Sequence, residues 1–208
     1  GRTPVRRSGL TCYQGPLGPG DNRTLEGICC TSPARTVTDL LRWLSPPHGL
    51  AAADIFAARG LVTADEVLAV LERWPGERFV HQARRLAGWI EPRTESKGES
   101  WLRLRILEAG FPRPSAQIPI LDRWGQEVYR LDLGWEEHRL ALEYDGEEFH
   151  SGEEARRHDD ERRERLEKEF GWRAYGAGRG EVLGRSLALE RAVGELLGAE
   201  PQLTRRLW

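Results

Sequence analysis

The sequence predicts an α/β protein in which a small helical N-terminal domain precedes an α-β-β-β-α-β-α domain with a mixed sheet. Apolar residues in the first half repeat at helical spacing, whereas the second half contains three alternating, β-prone segments between helical ones. The 208 residues are enough for two small hydrophobic cores. We therefore predict two domains, residues 1–92 and 93–208.

The N-terminal domain is predicted to contain four helices after an irregular or short-stranded start. Residues 1–25 are rich in Gly, Pro and Arg, which favour turns. The segment TSP at 31–33 predicts the entry of a first helix, which is expected to end at SPPHG. A second helix, LAAADIFAARG, is expected to stop at Gly60, and Thr63 is the predicted N-cap of a third. The segment ERFVHQARRLAGWI predicts the fourth.

The second domain is predicted to begin after a polar, linker-like segment, EPRTESKG. The helix ESWLRLRILEAG is expected to end at Gly110. Three strand candidates follow, AQIPILD, EVYRLDLGW and RLALEYDG, and their short connections predict an antiparallel meander. A charged helix over about residues 153–170 leads to a fourth strand, GWRAYGA, and a closing helix. Because a helical crossover precedes the fourth strand, we expect a mixed sheet.

Composition limits the class of protein without selecting a function. The chain has 31 basic and 33 acidic residues, so its net charge of -2 neither indicates nor excludes a nucleic-acid partner. It contains no run of roughly twenty apolar residues, so we expect a cytoplasmic protein without a membrane partner. Its three cysteines lack CxxC spacing, and we expect reduced, buried thiols. Without any methionine, the chain is expected to continue upstream of Gly1.

Acidic residues interrupt two of the predicted strands. Asp132 lies in VYRLDLGW, and Glu143 and Asp145 lie in RLALEYDG. His150 follows shortly after RLALEYDG, and Glu99 lies in the first turn of the preceding helix. Removing unpaired carboxylates from water costs free energy unless a cation is near. Hard oxygen ligands of this kind suit Mg²⁺ or Mn²⁺, whose common chemistry is phosphodiester hydrolysis.

The expected geometry brings these acids together at one face of the sheet. Asp132 and Glu143 would lie about 5 Å apart if their strands pair in register. Asp145 follows Glu143 by two residues and projects to the same face, and Glu99 would arrive from the helix beneath. An acidic, solvent-exposed sheet face would give the same pattern. Patterning alone therefore leaves both interpretations open.

An ordered series of motifs adds a resemblance to a known family. The segments SKGESWLRLRILEAGFPRP, RLDLGW, LALEYDGEEFH and RHDDERRERLEKEFGW, together with Gln117, resemble the very-short-patch-repair-like branch of the PD-(D/E)xK restriction-endonuclease superfamily, over about residues 95–200. Related actinobacterial sequences are often described only as domains of unknown function or as endonuclease domains. The segments GICCTSPARTVTDLLRWL and AAADIFAARGLVTADEV are similar to the helical connector of AbiEi-type proteins, whose winged helix would lie upstream.

The resemblance implies a metal-dependent DNA endonuclease. It makes Asp132 the central metal ligand, Glu143 the acidic member of the ExK-like element and Glu99 the helix acid. His150 falls where the repair enzymes have a catalytic histidine. Asp145 stands where the superfamily has lysine, so it is expected to act as a further metal ligand.

The resemblance also implies contacts with DNA. It places Arg162 and Arg163 beside the metal face, where Arg163 would contact the scissile-strand phosphate or brace the carboxylates. Lys97 or His150 would take part of the role of the missing lysine. Double-strand cleavage by a protein with one such site requires a homodimer, whereas nicking does not. The missing lysine leaves an alternative, a catalytically inactive nuclease-fold DNA-binding regulator or antitoxin-like protein, and carboxylate-metal chemistry does not by itself separate DNA from RNA.

Overall fold

In the computed structural model, the described residues are 8–9, 12, 15–146, 153–206 and 208, and only the backbone is described for 153–160. The helices are α1 Pro33–Trp43, α2 Pro46–Ala58, α3 Ala64–Glu72, α4 Val80–Ala87, α5 Lys97–Glu108, α6 Glu153–Phe170, α7 Arg179–Val182 and α8 Ala188–Leu197. The strands are β1 Asn22–Leu25, β2 Ile28–Thr31, β3 Ser115–Leu121, β4 Glu127–Trp135, β5 Leu140–Asp145 and β6 Arg173–Gly178. Across these ranges, no helix is both long enough and apolar enough to cross a membrane.

The N-terminal part opens with an antiparallel hairpin that the sequence only partly predicts. β1 pairs with β2, and the pairing begins with Asn22↔Thr31. β1 lies within the region up to residue 25 where short strands were expected, whereas β2 lies beyond it. Side chains on both strands are mostly exposed. Consequently Cys29 is exposed and Cys30 half-buried, and Cys12 is also exposed. The prediction of buried thiols is therefore wrong.

The four predicted helices are present as α1 to α4, although α2 begins earlier than predicted and α4 is shorter at both ends. α1 begins after the N-cap Ser32, as predicted, and Thr63 forms a capping box with Glu66 at the start of α3. The segment SPPHG opens α2 at Pro46, although it was expected to separate two helices. Proline is favoured in a first helical turn because the amide hydrogen it lacks would have no intrahelical acceptor there.

A mixed four-stranded sheet organises the second half, as predicted. Its strand order is β3-β4-β5-β6, in which β5 and β6 are parallel and the other pairs are antiparallel. The charged helix α6 provides the crossover to β6. Its Leu166 is fully buried and packs with Ile118, Leu131 and Trp172. The α/β class and the mixed sheet are thereby confirmed.

Helix α5 packs against both halves of the protein. Leu104 belongs to the core formed by α1–α4, whereas Trp101, Leu102 and Ile106 belong to the core beneath the sheet. The fully buried Arg103 donates to Asp54 of α2 at 2.6 Å. One helix therefore links the two cores through both apolar contacts and a buried ion pair.

The segment EPRTESKG, predicted as a linker, is a structured junction. Glu91 and Thr94 are buried. The backbone N–H of Glu91 donates to Asp54 at 2.9 Å, and its carboxylate accepts from Arg93 and Arg113. Hydrogen bonds with α2 and with residues near β3 explain why this polar sequence is ordered.

A second group of buried charges lies at the C-terminal end of α5. The C-terminal charge cluster consists of Arg105, Glu108, Glu190 and Arg206. Arg105 donates to both carboxylate oxygens of Glu190, and Arg206 lies 3.3 Å from Glu190 and 3.6 Å from Glu108. Burial and the neighbouring Arg105 lower the pKa of Arg206 to about 10, against the opposing effect of the two glutamates. Arg206 therefore stays charged at neutral pH, and the two cations of the cluster face two anions, of which Glu108 also pairs with Arg85 at 3.0 Å.

Candidate metal centre

Asp132 lies where β4 and β5 stop pairing through their backbones. The ladder runs from Trp135↔Leu140 to Leu133↔Leu142, so Asp132 is the next position, opposite Glu143 in the same register. The Asp132 carboxylate accepts a hydrogen bond at 2.9 Å from the backbone N–H of Tyr144. The Asp132 side chain thus replaces a backbone carbonyl as the hydrogen-bond acceptor at the point where the two strands separate.

Glu99 approaches from the first turn of α5. Ser96 caps this helix, and its hydroxyl accepts from the backbone N–H of Glu99 at 3.1 Å. The preceding residue, Gly98, lies so close to β5 that a Cβ atom there would overlap the ring of Tyr144. The glycine therefore permits the close approach of α5 that places Glu99 beside the acids of the sheet.

Gln117 contacts Glu99 in this site, although it was predicted only as part of the motif series, without a role. Its backbone has φ +55°, a left-handed conformation that is unusual for a non-glycine residue within a strand. Its amide donates to Glu99 Oε2 at 2.9 Å, and the same oxygen accepts from the backbone N–H of Glu95 at 3.0 Å. Such backbone conformations cost about 1–3 kcal/mol and cluster at functional sites. The motif series contained Gln117, but no sequence pattern indicates the positive φ.

Glu143 is held by an arginine from α6. Its side chain is only 9% exposed, and its two oxygens accept from the two Nη atoms of Arg162 at 2.7 and 2.8 Å. Burial alone would lower the pKa of Arg162, but the hydrogen bonds and the charge of Glu143 and the charge of Asp132 raise it overall. Arg162, predicted to contact DNA, thus pairs with a predicted metal ligand.

Asp145 forms a separate pair with Arg163. The two side chains lie 3.3 Å apart beside Gly176 of β6, where a Cβ atom would overlap both of them. The neighbouring carboxylates that act most strongly on Asp132 are Glu99 and Glu143. The structure therefore brings Glu99, Asp132 and Glu143 together and holds Asp145 next to them through its own arginine.

Asp132 is the least compensated of these acids. Burial, the largest effect, and the negative charges of Glu99 and Glu143 raise its pKa to about 7. The hydrogen bond from Tyr144 and the charge of Arg162 act in the opposite direction but do not cancel the increase. At neutral pH this carboxyl group is therefore close to taking up a proton or another positive charge.

The acidic site, defined as Glu99, Asp132, Glu143 and Arg162, has three carboxylates and one guanidinium. Oxygen ligands in excess of their counter-charges suit a hard divalent cation such as Mg²⁺ or Mn²⁺. However, in the part of the chain that the structure describes, no three or more Asp, Glu, His or Cys side chains are already arranged to hold a metal ion. Glu99 Oε2 accepts two hydrogen bonds and both oxygens of Glu143 contact Arg162, so these oxygens already have partners.

Two further candidates are less closely connected with the site. Lys97 is the first residue of α5 and is exposed, and its Nζ lies 5.7 Å from the ring centroid of Trp101. His150 lies outside the described residues. Its catalytic role therefore stays a prediction from the sequence.

Comparisons with known proteins yield relatives without a described function. No protein-family model and no solved structure matches the chain. Two uncharacterized proteins of Mycobacterium tuberculosis, from strains CDC 1551 / Oshkosh and H37Rv, are each 33% identical over 148 residues, which is 71% of this chain and 54% of the relative. The chain thus spans about half the length of the curated relatives it matches.

Proposed function

We propose that this protein is a metal-dependent DNA endonuclease and that residues 93–208 form a PD-(D/E)xK-type nuclease domain. The observation that carries the proposal is the charge excess around Asp132, a desolvated carboxylate with two acidic neighbours and one nearby guanidinium. The motif series of the sequence supports it independently, because its Asp132, Glu143 and Glu99 are the residues that converge. The fold class agrees, with a mixed sheet and a helix beneath it.

Asp132 and Glu143 would hold Mg²⁺ or Mn²⁺, with Asp145 as a further ligand from the adjoining pair. When bound, such an ion would activate water and neutralise the charge that develops on the phosphate. Glu99 is kept in place by Gln117 and the backbone of Glu95. Its role is to orient water at this face of the sheet.

The arginines would act on the phosphate group itself. Arg162 holds Glu143 with two hydrogen bonds, and a guanidinium released from that carboxylate could donate the same pair to two phosphate oxygens. Arg163 braces Asp145 from the same helix. His150 is proposed as the general base, on the evidence of the motif series.

The test is cleavage of supercoiled and linear DNA with Mg²⁺ or Mn²⁺ by Asp132→Asn. This change removes a charge and preserves the shape of the side chain, and we expect at least about a 1,000-fold loss of rate, equivalent to about 4 kcal/mol. Glu137→Gln is the matched control, because Glu137 is an exposed acid beyond the end of β4. Urea unfolding of each variant would verify folding. Cleavage by Asp132→Asn at the wild-type rate would refute the site.

A second candidate function is that of a non-catalytic DNA-binding regulator built on the nuclease fold. Two observations favour it. Arg162 occupies both oxygens of Glu143, and the position of the superfamily lysine holds Asp145, which pairs with Arg163. This function predicts a salt-dependent gel shift in EDTA and no cleavage product after addition of Mg²⁺ or Mn²⁺.

A further inference from the structure

An arginine-lined cavity of about 660 Å³ adjoins the acidic site. We call it the arginine cavity and define it by Arg59, Arg93 and Arg130, together with Glu95 and Gln117. Gln117 and Glu95 are the two residues whose N–H groups hold Glu99 Oε2. The cavity therefore borders the acidic site through these two residues, which contact Glu99.

Both halves of the protein build this cavity. Arg59 follows α2 of the helical half, and Ile55 and Ala58 of the same helix line the wall. Arg130 comes from β4, the strand that carries Asp132. The cavity thus joins a positive charge of the helical half to the strand that carries Asp132.

The charge and its availability suit a phosphate backbone. Three arginines and one acid, Glu95, line the cavity, and Glu95 lies 3.4 Å from Arg130. Arg93 pairs with Glu91 at 3.0 Å and Arg130 with Glu127 at 2.8 Å, and the two arginine side chains are 57% and 49% exposed. The pair of Arg130 and Glu127 is exposed on both sides and is therefore weak, whereas Glu91 is buried and holds Arg93 in place. Arg130 can therefore exchange its carboxylate for a phosphate at little cost.

Arg59 is the most available of the three charges. It is exposed, and no hydrogen bond or ion pair of its side chain is found within the described residues. Ile55, with 45% of its surface exposed, provides an apolar patch beside it that suits a deoxyribose face. Phosphate and sugar contacts of this type fix the register of a protein on DNA without reading its sequence.

We propose that the arginine cavity binds the sugar-phosphate backbone of the DNA strand next to the scissile phosphate. This inference rests on the proposed nuclease function, because it assigns the path of the substrate that leads to the acidic site. It gives the helical half a direct part in substrate binding. Arg59 is thereby a DNA-binding residue supplied from outside the nuclease domain.

The experiment measures fluorescence anisotropy of a labelled random-sequence DNA duplex in EDTA, at several salt concentrations between about 50 and 200 mM. Arg59→Ala should weaken binding about threefold to tenfold and reduce the slope of log K against log salt by about 0.9, the value for one lost phosphate contact. Arg59→Lys should keep the wild-type slope. The control is Arg191→Ala, an exposed arginine of α8 that does not line the cavity, and it should match wild type.

The possible results separate this inference from the proposed function. If Arg59→Ala binds DNA like wild type, or if wild type binds no DNA, the cavity assignment is overturned. Tighter binding of an RNA duplex, with the same loss in Arg59→Ala, would overturn the assignment to DNA. Weaker binding by Arg59→Ala in a protein that cleaves nothing supports the cavity and refutes only hydrolysis. If Asp132→Asn abolishes cleavage while Arg59→Ala binds normally, the nuclease stands and the cavity fails.

Discussion

Both ends of helix α5 carry buried charges, but the two ends balance those charges differently. At the C-terminal end, Arg105 and Arg206 face Glu190 and Glu108, and Arg105 also donates to backbone carbonyls of residues 181–186. At the N-terminal end, Glu99 joins Asp132 and Glu143, with Arg162 as the nearby guanidinium.

The difference indicates which buried charges serve the fold and which are available to a ligand. Removal of a charge from water costs several kcal/mol, so a buried charge without a partner persists only where something else compensates for it. The C-terminal charge cluster pairs each of its guanidinium groups with a carboxylate of the protein, although Nε and Nη2 of Arg206 have no hydrogen-bond partner among the described residues. The acidic site has an excess of negative charge, which a divalent cation would remove.

The largest expected effect is that of Glu190→Gln, which removes a charge from the C-terminal charge cluster. It would leave Arg105 and Arg206 buried with Glu108 as their remaining carboxylate, and we expect a loss of about 3–5 kcal/mol in the free energy of unfolding. Urea unfolding measures the loss. Glu195→Gln, at an exposed position of α8, the helix that also carries Glu190, should change the free energy of unfolding by less than about 0.5 kcal/mol. A loss below about 1 kcal/mol for Glu190→Gln would mean that the backbone carbonyls alone suffice for Arg105.

The excess of negative charge at the acidic site should make the free energy of unfolding fall as pH rises. Folding raises the pKa of Asp132 from 3.8 to about 7, so between these pH values the folded state binds more protons than the unfolded state. The free energy of unfolding therefore decreases through this window, by at most about 4 kcal/mol. Urea unfolding across the same range measures the slope. Asp132→Asn should lose this component of the slope, and an unchanged slope would show that Asp132 does not titrate as inferred.

A divalent cation should neutralise the excess negative charge at the acidic site and thereby stabilise the folded protein. At pH 8, Mg²⁺ at about 100 times its dissociation constant would raise the free energy of unfolding by about 2.7 kcal/mol. Thermal or urea unfolding with and without Mg²⁺ measures this increment. Asp132→Asn should lose it, whereas Glu190→Gln should keep it because the C-terminal charge cluster is not part of the site. An equal increment in wild type and Asp132→Asn would place the ion elsewhere.

The smallest expected effect concerns the pair of Asp145 and Arg163, which lies next to the acidic site. Gly176→Ala would push a methyl group into both side chains, and we expect a loss of about 1–3 kcal/mol in stability. Gly178→Ala on the same strand is the control, because its Cβ would have no neighbour within 4 Å. Chemical unfolding compares the two variants. Equal stability of both would show that the pair moves aside freely.

Local signals in the sequence predict most of the fold. Ser32 and Thr63 mark the starts of α1 and α3 because their side chains satisfy amide groups that helices leave free. The start of α2 at Pro46 was missed, since a Pro-Pro pair is as typical of a turn as of a first helical turn. β2 was missed because its side chains are mostly exposed, so the strand lacks the apolar alternation that identifies half-buried strands.

Patterning along the strands predicted the acids of the candidate site, whereas only the resemblance placed the arginines of α6 beside them. Alternation along β4 and β5 indicates that Asp132 and Glu143 share a face of the sheet. The contact of Glu143 with Arg162 joins residues 19 positions apart across a crossover. α6 is polar over most of its surface, so its sequence does not show which arginine turns toward the sheet. The left-handed backbone of Gln117 depends on the site around it and has no local sequence signal.

The two-sided packing of α5 limits how the chain can be divided into fragments. A fragment that starts at residue 93 would keep α5 but lose Asp54, the partner of Arg103, and the helices that cover Leu104. It would expose an apolar surface along a helix that also carries Glu99 at its start. We expect such a fragment to associate with itself or fold poorly, whereas one that retains α1 to α4 should fold as an autonomous unit. Inactivity of the shorter fragment would therefore reveal nothing about where catalysis resides.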